Sequence, residues 1–424
     1  MRVMLGLVEI GGYYTALEQG LRELGVEADL VTLNRHRFAY DGAAPQPRVA
    51  EVLVAPARRL RERIGGSRGA RRAALRCAEL PLRAVSQVAL MTWALWRYDV
   101  FVVGFNASFL RTHDLWLLRM LRKRIIAVYH GSDSRAPYLD GFLARGADGR
   151  TLARLTRRVR ARVRRMERYA DIIVSAPLST HLHHRPVVVF QKLGIPAREI
   201  RPAPPPPSNR EVVVVHAPSH PEGKGTDRIR AMIAALRNEG VPVRLHEIQG
   251  RPNAEVLAAI ASADMVVDQL YADTHLASLA TEAAWLGRPA VVGAYDAAEL
   301  SRILGEEAQA AVICHPDEVA DVVRRLCLDA RTRLARGEAA RTFVETHWQR
   351  RAVAERMLRL VQGDVPDAWL FDPHDLRAFH GVGLDIDALR RRIRAVVQYG
   401  GRGALLLDDK PALREAMLEA LDIT

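Results

Sequence analysis

The sequence predicts an α/β protein: two doubly wound units followed by a small helical extension. Three observations carry that expectation. Short apolar runs alternate with helical patterns in both halves of the chain, the mark of parallel strands joined by crossover helices. At 424 residues the chain exceeds what one ordinary core accommodates, so two domains are expected. The stretch Pro202-Ala203-Pro204-Pro205-Pro206-Pro207-Ser208 separates the halves and reads as a stiff polyproline linker.

The first unit opens with an apolar strand, Val3 to Val8. Gly11 and Gly12 follow it, and Tyr13 to Leu24 is a helix with Leu17, Leu21 and Leu24 on one face and Gly25 closing it. Val26 to Leu33 is the next strand. Asp99 to Gly104 and Ile125 to His130 suit strands buried on both faces, with a helix over Leu115 to Leu121 between them. Ala170 to Ser175 and Val187 to Phe190 continue the series. The uncharged run Ala84 to Trp96, bounded by Arg83 and Arg97, is too short to cross a membrane and is expected to be a buried helix. The second unit begins at Glu211. Its strands are Val212 to Val215, Val243 to Ile248, Met265 to Asp268, Ala290 to Val292 and Ala311 to Ile313. Helices over Asp227 to Asn238, Ala254 to Ala261, Ala277 to Leu286 and Glu318 to Leu328 alternate with them. Arg331 to Val361 is largely helical, and composition changes after Gly363. The expected division is a first domain over 1–200, a linker over 201–208, a second domain over 209–345, a helix over 346–362 and a helical extension over 363–424.

Charge narrows the function classes only partly. The net charge of +13 suits nucleic acid, an anionic membrane surface or an anionic small substrate. Two arginine-rich stretches, Arg58 to Arg83 and Arg154 to Arg168, read first as solvated helix faces. The sharper reading is a peripheral contact with an anionic membrane. Nucleic acid ranks last and no such partner is expected, because helix-turn-helix, aromatic-platform and zinc-finger patterns are all missing. Cys77, Cys314 and Cys327 form no CxxC pair, which suggests neither a disulfide framework nor a zinc site and fits a reducing cytoplasm. The N-terminus reads as a strand rather than a signal peptide. His181, His183 and His184 cluster without a nearby carboxylate and read as a solvated loop, so no metal is expected. HExxH and nucleophile-elbow motifs do not occur.

The most informative residue is Lys224. Among 62 basic side chains only Lys123, Lys192, Lys224 and Lys410 are lysines. Lys224 sits in the turn between a strand and a helix, where backbone N–H groups and the helix dipole favour phosphate and lysine adds a compact charge. Composition alone also accounts for one lysine falling there. Glu282 lies on a helix of small residues ended by Gly287 and Pro289; it reads either as a surface glutamate or as an acceptor for a ribose diol.

Together these residues resemble a known family. Lys224-Gly225 in the first turn of the second unit, with the Glu282 helix ending in Gly287-Arg288-Pro289-Ala290-Val291-Val292, resembles the retaining glycosyltransferases of the GT-B fold, group 4. The phrase His216-Ala217-Pro218-Ser219 with Lys224-Gly225-Thr226 and Asp268-Gln269-Leu270 is similar to one bacterial branch of that group. The resemblance covers roughly the first 360 residues and is strongest from Val212 to Val292.

The resemblance implies two Rossmann-like domains facing a cleft, a nucleotide-diphosphate sugar (UDP- or GDP-linked) as donor, and no obligatory cofactor. It implies an acceptor hydroxyl on a sugar, a lipid-linked glycan or a small metabolite. Lys224 would contact the diphosphate, with Ser219 and Gly225 in the same turn, and Glu282 would bind the ribose hydroxyls. Gly250 and Arg251 would lie by the nucleobase. Gly11 and Gly12 match the family's glycine loop. His130-Gly131-Ser132-Asp133 matches its histidine loop, with His130 facing the transferred sugar and Asp133 beside it. Thr274 and His275 would line the donor-sugar end. Two departures stand out. Thr274 occupies the place of a glutamate eight positions before Glu282, and Ser219 the place of an arginine five positions before Lys224. Thr274 supports the alternative reading, a degenerate GT-B protein that binds nucleotide or serves as a scaffold.

Overall fold

A computed structural model describes residues 1–33, 46–65, 68–196, 200 and 211–423. The polyproline linker lies outside the described residues. The first sheet is built from β1 (Arg2–Leu7), β2 (Glu27–Thr32), β3 (Val100–Gly104), β4 (Arg124–Val128), β5 (Ile172–Ser175) and β6 (Val187–Val189). The second holds β7 (Val212–His216), β8 (Val243–Glu247), β9 (Met265–Gln269), β10 (Ala290–Gly293) and β11 (Val312–Cys314). A short β12 (Leu370–Phe371) returns to the first sheet, giving the orders β12-β6-β5-β4-β3-β1-β2 and β11-β10-β9-β7-β8. All pairings are parallel except β12 with β6. The register is set so that Val3 faces Ala28 on one side and Val100 on the other. Every residue of β3, β7 and β9 is buried, which is why these strands read as apolar runs, with polar residues only at the carboxyl ends of β7 (His216) and β9 (Asp268, Gln269).

Helices cover both faces of the first sheet. The helix Tyr13–Glu23 turns Leu17 and Leu21 into the core on one face, and the helices Gly69–Arg97 and Gly149–Tyr169 cover the other. The uncharged run Ala84 to Trp96 is not a buried helix. It is the last half of the 29-residue helix Gly69–Arg97, and it buries one face only. Leu90 and Ala94 are fully buried, whereas Val85 is 66% and Trp96 84% exposed. A lack of charge had suggested burial, but the helix packs against the helix Arg48–Gly65, shares a core with Met4, Phe101 and Val103 of the sheet, and leaves its outer side open.

The chain ends back on the first domain. The helix Arg350–Gln362 lies across Tyr13–Glu23. At that crossing a Cβ on Gly20 would come within 2.7 Å of the Arg350 carbonyl oxygen and 2.8 Å of Ala354 Cβ, so the approach requires glycine. The extension beyond Gly363 is not helical alone, since it adds β12 to the sheet edge. Its helix Ile386–Gly400 buries Leu389, Ile393 and Val396 against Gly149–Tyr169. It also reaches the second domain: Gly383 N donates to the Tyr271 carbonyl at 2.8 Å, Ile386 N donates to Tyr295 Oη at 3.1 Å, and His380 Nδ1 lies 2.9 Å from Asp296 Oδ1. Two facing doubly wound sheets with a helix returning to the first domain constitute the GT-B architecture.

Candidate functional site

Each sheet reverses its strand order once, between β1 and β3 in the first and between β7 and β9 in the second. Ligands of open α/β sheets bind beyond the carboxyl ends of the strands at such points. A cavity of about 320 Å³ lies between the two domains there. Gly11, Gly12 and His130 form its wall from the first domain, and Thr274, Ser278 and Glu282 from the second.

The first-domain wall is preorganised by Glu9, a residue the sequence did not single out. Its carboxylate accepts from Ile10 N at 2.7 Å, Tyr14 N at 3.2 Å, Thr15 N at 2.8 Å and Thr15 Oγ1 at 2.7 Å. These contacts occupy the N-terminal donors of Tyr13–Glu23, so that helix end already holds an anion of its own. Gly11 (φ 59°) and Gly12 (φ 80°) turn the chain between cap and helix in the left-handed region. His130 Nε2 lies 3.0 Å from Tyr14 Oη, and its ring is edged by Tyr13 and Phe190. Burial pulls the imidazole down to about 4, so near neutral pH His130 is a neutral hydrogen-bonding group. Asp133 lies behind it and off the cavity wall. One carboxylate oxygen accepts from His130 N at 2.9 Å, the other is buried without a partner, and burial raises the group to about 7.

On the second-domain wall, Glu282 Oε1 accepts from Asn253 Nδ2 at 2.8 Å. The helix Ser278–Trp285 starts at the cavity with no side-chain cap on its N-terminus, leaving backbone donors for an anion. Thr274 Oγ1 accepts from Gln191 Nε2 of the first domain at 3.3 Å. Asp273, next to Thr274, lines the cavity. It accepts from Arg135 Nε at 2.9 Å, while Arg135 Nη1 donates to Asp140 at 2.8 Å. This buried triad ties the domains together, and neither Arg135 nor Asp273 carried a motif that would have revealed it.

Other expected residues lie elsewhere. Lys224 is at the second switch point but off the cavity wall, with Nζ 2.8 Å from the buried Asp268 carboxylate. Phe142 of the first domain covers its turn. A Cβ on Gly223 would meet Phe142 Cε1 at 2.6 Å, and one on Gly383 would meet Phe142 Cζ at 3.0 Å, so the ring is wedged between the Lys224 turn and the extension. Gly225 packs its left-handed backbone on Leu270. Ser219, Gly250 and Arg251 are exposed and outside the cavity. His275 is buried against Trp348, where burial holds it at about 3, and it does not line the cavity.

The histidine cluster is not a solvated loop. His181 and His183 are buried, with His181 Nε2 2.9 Å from the Ala378 carbonyl and His183 Nδ1 3.0 Å from Glu167. His184 stays at the surface, where His374 and Asp409 bring ligand-type atoms within 4.8 Å. Lys410 and Arg164 already face that Asp409 carboxylate at 3.3 and 3.5 Å, which leaves it little charge for a cation.

No family model matches the chain, and no curated protein matches it. Solved structures are similar over most of the chain. Sucrose-phosphate synthase from Thermosynechococcus elongatus is 14% identical, with a TM-score of 0.49 over 85% of this chain and 98% of that one. HepE from Anabaena, solved with UDP-glucose, is 11% identical, with a TM-score of 0.46 over 86% and 100%. A TarM variant from S. aureus, solved with UDP among its ligands, is 10% identical, with a TM-score of 0.47 over 85% and 99%. The fold assignment itself rests on the strand orders and the cleft.

Proposed function

We propose that this protein transfers a sugar from a nucleoside-diphosphate donor to an acceptor hydroxyl in the interdomain cavity. The observation that carries this reading is the convergence on one cavity of the first switch point, the segment after β9, the uncapped helix Ser278–Trp285 and the Glu282 carboxylate. In the proposed arrangement the uncapped N–H groups hold the diphosphate, and Glu282 accepts the two ribose hydroxyls. His130, neutral and fixed by Tyr14, orients the transferred sugar. Lys224 adds positive charge from behind the wall, reaching phosphate when the Phe142 wedge withdraws and Asp268 is exchanged for the ligand. Donors fixed on developing phosphate charge contribute on the order of 3 kcal/mol to such a transfer. Retention of anomeric configuration fits a site in which the cavity-lining Asp273 is neutralised by Arg135 and Glu282 is given to the ribose, because the leaving phosphate then takes the acceptor proton on the same face.

A second reading, a nucleotide-binding scaffold without turnover, is favoured by Thr274 and by the pairing of Lys224 with Asp268. Thermal shift with UDP, GDP and their sugars, followed by donor hydrolysis, separates the two. Transfer predicts stabilisation together with hydrolysis, and the scaffold predicts stabilisation alone. Glu282→Ala and Lys224→Ala are each expected to weaken donor binding about tenfold. Normal binding by both would show that the donor lies elsewhere.

The first domain also carries a face suited to a membrane surface. Exposed Val52, Leu80, Val85 and Trp96 stand among the arginines of the helices Arg48–Gly65 and Gly69–Arg97, a pattern that fits peripheral contact with anionic lipid. Among the described residues no helix is long and apolar enough to cross a membrane. Co-sedimentation with phosphatidylglycerol vesicles is expected and should fall several-fold in Trp96→Ser; equal sedimentation with neutral phosphatidylcholine would argue against a charge-assisted contact.

A further inference from the structure

A second hollow, of about 270 Å³, opens on the first domain, and none of its wall residues touches the interdomain cavity. His113 and Trp116 form one side, and Arg164, Arg165, Arg168 and Tyr169 the other, at the end of the helix Gly149–Tyr169. Three guanidinium groups and an imidazole thus converge, and among the described residues no carboxylate lies on the wall. Their partners leave the positive charge largely uncompensated. Arg165 Nη1 donates to Thr112 Oγ1 at 3.1 Å and lies 3.1 Å from His113 Nε2. Among the described residues Arg164 meets a carboxylate only through Nη2, 3.5 Å from Asp409, and its Nε is buried without a partner. Among the described residues, no ion pair engages Arg168.

A bland explanation is that cations favour a helix C-terminus. That accounts for one of them, not for three within a turn, where like charges repel. The opposite lip is fixed. Thr112 is buried with φ 71° and follows Arg111 at φ 53°, left-handed values that non-glycine residues adopt only when the surroundings enforce them. Thr112 N donates to Ser108 Oγ, and Ser108 in turn donates to the Asp114 carboxylate, which also accepts from Phe109 N and Leu110 N at 3.0 Å each. A rigid hollow with several guanidinium forks matches the geometry of a phosphoryl group, and its volume exceeds that of bare phosphate, leaving room for a substituent between Trp116 and Tyr169.

We propose that this hollow is a binding site for a phosphomonoester, distinct from the cleft. The same chemistry is offered by a soluble phosphorylated metabolite and by a phosphatidic acid headgroup, so the probes are glycerol 3-phosphate in solution and phosphatidic acid in vesicles. Isothermal titration and vesicle flotation are run on the full chain, on Arg164→Gln/Arg168→Gln and on a control, Arg157→Gln/Arg158→Gln, which removes the same charge from exposed positions on the same helix. Folding of each variant is verified by its melting temperature in phosphate-free buffer. At least one probe is expected to bind the wild type and to lose about tenfold or more in affinity in the hollow variant, with less than about twofold change in the control. Loss confined to glycerol 3-phosphate identifies a soluble ligand, and loss confined to vesicles a lipid headgroup; either result supports the site. No binding of either probe, or equal losses in both variants, overturns it.

Discussion

At the scale of single residues, the site is controlled by groups whose charge the fold has chosen. His130, His181 and His275 are held by burial at about 4, 4 and 3, against an ordinary value of 6.5. Between those values the unfolded chain binds protons that the folded chain refuses, so stability falls as pH drops from about 6.5 toward 4. Asp133 acts oppositely. Raised from 3.8 to about 7 by burial, it binds a proton in the folded chain first and gains stability over much of the same window. Each tenfold change in proton affinity is worth about 1.4 kcal/mol, and three groups outweigh one. The urea midpoint is therefore expected to fall steadily between pH 6.5 and 4.5. A flat midpoint would mean that these rings are hydrated in solution. His130 was legible in the sequence through the resemblance of His130-Gly131-Ser132-Asp133 to a histidine loop at the end of a strand. The sequence could not show Glu9, whose importance lies in four hydrogen bonds made after the chain turns at Gly11 and Gly12, nor that Lys224 would meet Asp268 before any ligand.

At the scale of elements, the strands of both sheets were legible because parallel strands buried on both faces have no polar side to interrupt the apolar run. β12 was not, because two residues, Leu370 and Phe371, become a strand only by pairing with Val188 and Val187. The run Ala84 to Trp96 misled for the converse reason: apolar residues on its outer side face solvent. The extension belongs structurally to the first domain. It covers the β6 edge and the apolar face of Gly149–Tyr169, and Tyr138 Oη donates to the Leu405 carbonyl within it at 2.9 Å. Deleting residues 364–424 is accordingly expected to expose a sheet edge and a hydrophobic helix face, giving aggregation on size exclusion and a melting temperature lower by roughly 10 °C or more. A monodisperse, equally stable truncation would show that the extension is a passive tail.

At the scale of the whole molecule, the domains are joined by a charged clamp as well as by chain connectivity. Arg135 and Asp140 come from the first domain and Asp273 from the second, and all three are buried. A charge left alone in such a place is costly, about 3–5 kcal/mol when one partner of a buried pair is removed. The two possible removals differ. Asp273→Asn leaves Arg135 neutralised by Asp140, so the expected loss is at the lower end, near 3 kcal/mol, and it falls on domain association. Arg135→Met leaves two buried carboxylates facing each other without a cation, so the loss should be larger, near 5 kcal/mol. Denaturant unfolding reads the order, and small-angle scattering reads the geometry. Asp273→Asn should enlarge the radius of gyration and split unfolding into two transitions, because the domains then melt separately. Should both variants unfold in one step at the wild-type midpoint with unchanged dimensions, the domains are held by the Phe142 wedge and the extension instead, and the cavity keeps its shape without Arg135.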